Sequence, residues 1–206
     1  MASLKDTAVD ELIELSRLLG EFGQIKRATL LPNGDPESDS HHSFSLALIA
    51  YELACQYAPE LDTHKILLYA LVHDLTEIIT GDVDTLNSSP EELERKAQAD
   101  ALALAQAEAK LTAAPHLVQA LREYEHKAND EALFVYWVDK VCVIPTHFYD
   151  GGANLRKRGI RNRQDIQAWY DKTLAKLQKQ PQTPHESVVD MFARAYQKMH
   201  DEVVSA

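Results

Sequence analysis

A chain of 206 residues, 45% apolar and 26% charged, has room for one globular domain with its own core. A formal charge of −11 opposes extended contact with nucleic acid, although a local pocket can still be positive. Only seven glycines, among many Ala, Leu, Glu, Gln and Lys residues, favour helix over sheet, and the longest apolar runs are too short to span a bilayer.

The opening MASLKDTAVDELIELSRLLG carries acids within an amphipathic pattern and lacks a signal-peptide core, the expectation for a cytoplasmic protein. Residues 7–23 read as a first helix, with Leu12, Ile13, Leu15, Leu18 and Leu19 at helical spacing. The stretch from Leu31 to Asp39 is rich in helix breakers and reads as loop. Ser40 is the expected N-cap of the next helix, which runs to about Tyr57 and places His42 in its first turn. Asp62 or Thr63 caps a third helix through about Thr80, ended by Gly81. Ser88-Ser89-Pro90-Glu91-Glu92 starts a long Ala-rich helix to about Leu111. Further helices are expected over 115–126, 130–144, 163–179 and 184–203, with a break at Gly151-Gly152. No run of alternating strands is evident, so the sequence reads as a single all-α domain over 1–206. Cys55 and Cys142 both lie among apolar residues and are expected as reduced, buried thiols.

Chemistry concentrates in Ala70-Leu71-Val72-His73-Asp74-Leu75-Thr76-Glu77. An imidazole and a carboxylate adjoin there, and helical spacing brings Glu77 to the face of His73. His42 lies upstream. Asp139 lies downstream between Phe134–Val138 and Val141–Ile144, where a carboxylate is costly unless paired or ligating. Lys140 is set aside as its partner, because adjacent helical residues point about 100° apart. Two imidazoles and two carboxylates form a mixed N/O donor set, suited to one Mn, Fe, Co, Ni or Zn ion per chain rather than to Mg. Such a metal activates water and polarises a phosphoryl group, Glu77 can orient or deprotonate the water, and an arginine can neutralise the phosphoryl oxygens. Lys26-Arg27 and the cluster Arg156, Lys157, Arg158, Arg161 and Arg163 are the candidate basic groups; the second also fits a solvated face or an oligomer contact. Taken singly, each of these residues also fits a structural role.

The pattern His42…His73-Asp74…Asp139 resembles the H…HD…D signature of the HD-domain metal-dependent phosphohydrolases. The segment His73-Asp74-Leu75-Thr76-Glu77-Ile78-Ile79-Thr80-Gly81-Asp82 is similar to the HD-x-x-E-x-x-x-G-D pattern of the 5′-deoxynucleotidase branch, YfbR-like and HD-domain-containing-protein-2-like. The resemblance covers about residues 20–150, with the helices of 163–203 beyond it. It implies an all-helical HD-domain bundle and a metal held by His42, His73, Asp74 and Asp139. It implies a catalytic Glu77, a catalytic and substrate-side Asp82, a phosphate-binding Arg27, and a homodimer. Ala28 departs from the branch, which often has tryptophan after its arginine, and His41-His42-Ser43 stands where Glu-His-Ser is usual. Ser43 aligns His42 as the ligand, with His41 as the alternative. Some HD enzymes hold a second metal with extra histidines, for which His116 and His126 are candidates; His147 reads as structural or at the pocket rim.

The expected activity is removal of phosphate from a small metabolite, a (deoxy)nucleoside 5′-monophosphate first, with no membrane or extended nucleic-acid partner. The alternatives are a dNTP triphosphohydrolase and a regulatory module that binds nucleotide or metal without chemistry. Intact Glu77 and Asp82 speak against the last.

Overall fold

Helix α7 (Asp130–Thr146) runs through the middle of the core, and its sequence explains why. It is apolar on all sides, and eleven of its residues are buried, from Ala132 to Ile144. Such a helix needs packing partners all round. Those partners are α2 (Asp39–Tyr57), α3 (Thr63–Val72), α6 (Pro115–Glu125) and α10 (Glu186–Val203). In this computed structural model, residues 7–84, 86 and 89–203 are described. The remaining elements are α1 (Ala8–Phe22), β1 (Lys26–Leu30), β2 (Pro36–Ser38), α4 (Glu77–Thr80), α5 (Pro90–Lys110), α8 (Ala153–Lys157) and α9 (Arg163–Leu177). The fold is therefore mainly helical, as expected. No helix among the described residues is long and apolar enough to cross a membrane.

Local chemistry sets most of the boundaries. The Asp62 carboxylate caps α3 by accepting from the backbone of His64 and Lys65. Ser89 and Glu92 form a capping box at the start of α5, with Pro90 in its first turn; Ser88 lies outside the described residues. Asn129 caps α7 by accepting from the Ala132 amide. Pro145 sits in the last turn of α7 without ending it, since a missing N–H there removes only one terminal hydrogen bond.

Three expectations change. First, residues 31–39 are not simply loop. β1 and β2 pair antiparallel, with Lys26 opposite Ser38 and Leu30 opposite Pro36. The breakers form the hairpin turn: Gly34 takes φ 86°, and the Asn33 side chain accepts from the Asp35 amide. β2 delivers Ser38 in an extended conformation, so Ser38 and not Ser40 caps α2, accepting from the His41 amide at 3.2 Å. Second, the helix expected through Thr80 stops at Val72. Tight i→i+3 bonds from Leu75 to Val72, Glu77 to Asp74 and Ile78 to Leu75 replace α-helical ones before α4. In such a turn, side chains three apart eclipse, which stacks Glu77 with Asp74 rather than with His73. Third, Cys55 is exposed, while Cys142 is buried. On α2, Ala47, Ala50 and Ala54 face the core, and Cys55 is one step of about 100° round from Ala54.

The last two helices share the core. Trp137 of α7 meets Phe192 of α10 edge to face at 5.7 Å, and Tyr170 of α9 stacks on Phe192 at 5.2 Å. Aromatic pairs of this kind add about 0.5–1.5 kcal/mol each beyond their burial.

Candidate active site

Three parts of the chain bring His42, His73, Asp74 and Asp139 together. His42 stands in the first turn of α2, the His73-Asp74 pair just past α3, and Asp139 in mid-α7. His42 Nε2 lies 2.9 Å from Asp139 Oδ1. His73 Nε2 lies 2.9 Å from Asp74 Oδ2 and 3.9 Å from Asp139 Oδ1. Both histidines and Asp139 are buried. His73 Nδ1 sits 2.9 Å from the Ala70 carbonyl, the geometry in which Nδ1 carries the hydrogen and donates it. His73 Nε2 points into the cluster, buried and with no hydrogen bond of regular geometry despite its closeness to Asp74.

These side chains fit a metal. Ligand distances of about 2.0–2.2 Å place atoms sharing one ion roughly 3 Å apart. The pairs at 2.9 Å match that spacing, and the orphaned His73 Nε2 is the atom an ion satisfies. Donor atoms of His42, His73 and Asp139 all lie within 4.8 Å of one another. Burial alone would raise the pKa of both aspartates, yet both stay below the usual carboxylate range. Lys140 and the two histidines hold Asp139 down, and His73 and Arg27 hold Asp74 down. Both are therefore ionised, as ligands must be.

Lys140 corrects an expectation: its ammonium does contact Asp139 Oδ2. A long flexible side chain curls back across the 100° step, because a buried carboxylate rewards the nearest cation. The lysine also lies over the Tyr136 ring, 5.6 Å from its centroid.

Arg27 on β1 lies beside the His73-Asp74 pair and contacts three carboxylates. Its Nη1 lies 3.0 Å from Asp74 Oδ2 and 3.3 Å from Asp39 Oδ1, and its Nε is 3.5 Å from Glu37 Oε2. Burial would lower its pKa, but Asp74, Asp139, Asp82 and Asp39 raise it. Glu77 lies nearby with its carboxylate 3.5 Å from Lys96 Nζ. Burial, Asp74, Asp39 and Asp82 push its pKa up to about 10. Burial likewise raises Asp82, which shares a cavity of about 240 Å³ with Arg27, His73, Asp74, Glu77 and Asp139.

Several site residues were not found from the sequence. Asp39 is fully buried and clusters its carboxylate with those of Asp74 and Glu77. It stood at the end of a stretch read as loop, and only the hairpin turns it inward. Lys96 of α5, Lys127 in the turn between α6 and α7, and Lys176 of α9 also line the cavity, from segments that carry no motif. Lys127 has φ 49°, and its ammonium, 4.0 Å from the Tyr124 ring centroid, donates to the Tyr124 carbonyl. In contrast, His41, His116 and His126 are exposed, and none joins a clustered donor group among the described residues. Of the basic cluster, Lys157, Arg161 and Arg163 are exposed, while Arg158 pairs with Asp84. His147 is buried against Trp169.

A helical frame with His, His-Asp and Asp side chains converging at one buried point defines the class, and the chain belongs to the HD domain family, whose profile matches residues 19–181. Among its relatives is the 5′-deoxynucleotidase HDDC2 of Bos taurus, 24% identical over 86% of this chain and 83% of the relative. HDDC2 of Xenopus laevis is 25% identical over 96% of this chain and 92% of the relative. The 5′-deoxynucleotidase YfbR of Salmonella paratyphi B is 34% identical over 32% and 36%. The crystal structure of a protein described as a predicted metal-dependent phosphohydrolase, from Magnetospirillum magnetotacticum, has the same fold: TM-score 0.72, 21% identity, 97% of each chain covered.

Proposed function

We propose that this protein is a metal-dependent phosphohydrolase that removes the 5′-phosphate from a (deoxy)nucleoside monophosphate. The observation that carries the reading is the buried group of His42, His73 and Asp139, with Asp74 2.9 Å from His73 Nε2 and Arg27 against Asp74. Relatives bearing the name 5′-deoxynucleotidase support the substrate class.

His42, His73, Asp74 and Asp139 would hold one divalent transition metal, which when bound supplies Lewis acidity and a water of lowered pKa. Arg27 binds the phosphoryl oxygens, for which a planar guanidinium offers a matching fork. Glu77 is the proton-transfer group. Burial first, then Asp74, Asp39 and Asp82, raise its pKa to about 10, and neutralisation of Asp74 removes one of the charges that hold it there. Asp82, which lines the same cavity as Arg27, serves on the substrate side. One domain does this work, in the cytoplasm, as a homodimer. For the dimer, Phe44, Leu48 and Tyr51 offer an exposed apolar stripe along α2.

Metal analysis of the purified protein, followed by phosphate release from ribo- and deoxyribonucleoside monophosphates, dNTPs and simple phosphate esters, tests the reading. Metal-dependent release from monophosphates is expected. Release of triphosphate from dNTPs alone makes it a triphosphohydrolase. Nucleotide binding with no release makes it a binding module.

A further inference from the structure

Beside the metal cavity lies a smaller one, of about 100 Å³, and the two share Arg27, Asp82 and Val83. A phosphate at Arg27 therefore has this compartment as its neighbour. Its volume equals roughly three waters of liquid and suits a single ring. Its walls include Ala28 of β1, His147 just after α7 and Trp169 of α9. The His147 and Trp169 rings meet at 5.6 Å and 62°, and Trp169 meets Tyr196 of α10 at 5.4 Å and 70°, so the indole is braced on two sides.

The charge of this compartment decides what it takes. Arg158 is bound to Asp84 through two contacts, one of them Nε to Oδ2 at 3.2 Å. His147 is uncharged near neutral pH, because burial and Arg158 hold its pKa down to about 4. No net positive charge is left there for a second phosphate. Asp82 and Asp84 offer acceptors for hydroxyl groups, while Ala28, Val143 and the indole offer apolar surface. Hydroxyl acceptors beside an aromatic face suit a neutral, hydroxylated ring.

We infer that Trp169 is a specificity-determining residue, the platform on which the sugar ring of the leaving nucleoside packs. The inference rests on the phosphohydrolase reading and adds to it a wall supplied by α9, outside the motif-bearing segment. Trp169 then contributes to binding of ring-bearing substrates and little to the chemistry.

The protein has two tryptophans, Trp169 and the core residue Trp137; both emit, and Trp169→Phe, which leaves only Trp137, isolates the Trp169 contribution. Titration of the Glu77→Gln full-length protein with a nucleoside 5′-monophosphate should change the emission saturably, and Glu77→Gln/Trp169→Phe should lose that change. In turnover, Trp169→Ala should raise KM for the nucleotide about tenfold with kcat nearly constant, the upper end of what one aromatic contact supplies. The preference for nucleotide over ethyl phosphate, by kcat/KM, should fall in parallel, and Trp169→Phe, which keeps a ring and the fold, should recover part of it. An unmoved emission together with an unmoved preference in Trp169→Phe and Trp169→Ala overturns the inference. Absence of phosphate release from every ester by the wild type overturns the enzymatic reading instead, and the emission titration still decides whether Trp169 meets the sugar.

Discussion

The guanidinium of Arg27 lies 3.0 Å from the carboxylate of Asp74, although 47 positions separate them in the chain. One end of that contact is a proposed metal donor, and the other is the group proposed to hold phosphate. The ion pair fixes how far a phosphorus bound at Arg27 sits from the donor set. It also neutralises part of a crowd of buried carboxylates that includes Glu37 and Asp39.

Asp139→Ala should strip the bound metal and leave Lys140 without its carboxylate. Elemental analysis after gel filtration should show near-stoichiometric metal in the wild type and little in Asp139→Ala or His73→Ala. Thermal unfolding should show that added metal no longer stabilises either variant, because a ligand raises stability only by binding the folded state. Full occupancy in both variants would sink the ligand assignment.

Glu77→Gln should retain metal and nucleotide while lowering kcat by about two to four orders of magnitude, the usual range for a general acid–base group. Calorimetric titration with nucleotide separates binding from turnover. Near-wild-type kcat in a metal-loaded variant would assign the proton transfer elsewhere.

Arg27 has two roles that its variants should separate. Arg27→Ala leaves Glu37, Asp39 and Asp74 buried without their common cation, which should destabilise the fold by about 3–5 kcal/mol. Arg27→Lys keeps the charge but not the fork, so it should fold yet raise KM for phosphate esters by roughly tenfold or more. Denaturant unfolding and steady-state kinetics measure the two effects. Wild-type kinetics in Arg27→Lys would remove Arg27 from phosphate binding.

His147 should make the protein acid-sensitive. Burial and Arg158 hold its folded pKa at about 4, below the ordinary 6.5. As pH falls, the unfolded chain takes the proton first. The stability is therefore fully present above about pH 6.5 and drains between there and pH 4, by up to about 3 kcal/mol. His147→Phe should narrow the difference in melting temperature between pH 7.5 and pH 5. An equal difference in both proteins would show that other groups carry the acid response.

Much of the site was legible in the sequence because its signals are local. Helical spacing and caps lie within a few residues of what they govern, so α1, α5, α6 and α7 fall close to their expected bounds. His73, Asp74, Glu77 and Asp139 could be named as polar groups beside apolar neighbours, since a buried charge demands a partner, and His42 through the family pattern in which Ser43 follows the histidine. Only the tertiary structure decided the rest. The hairpin that turns Asp39 inward depends on pairing across a turn, and the break after Val72 on tight hydrogen bonds that the apolar pattern does not record. The return of Lys140 onto Asp139 is driven by desolvation, which exists only once α7 is enclosed. His42 and Asp139 stand 97 positions apart, and Trp169 comes to the cavity edge through the packing of α9 with the aromatic core. Periodicity states which face of a helix is buried; which side chains meet there follows from how the helices pack.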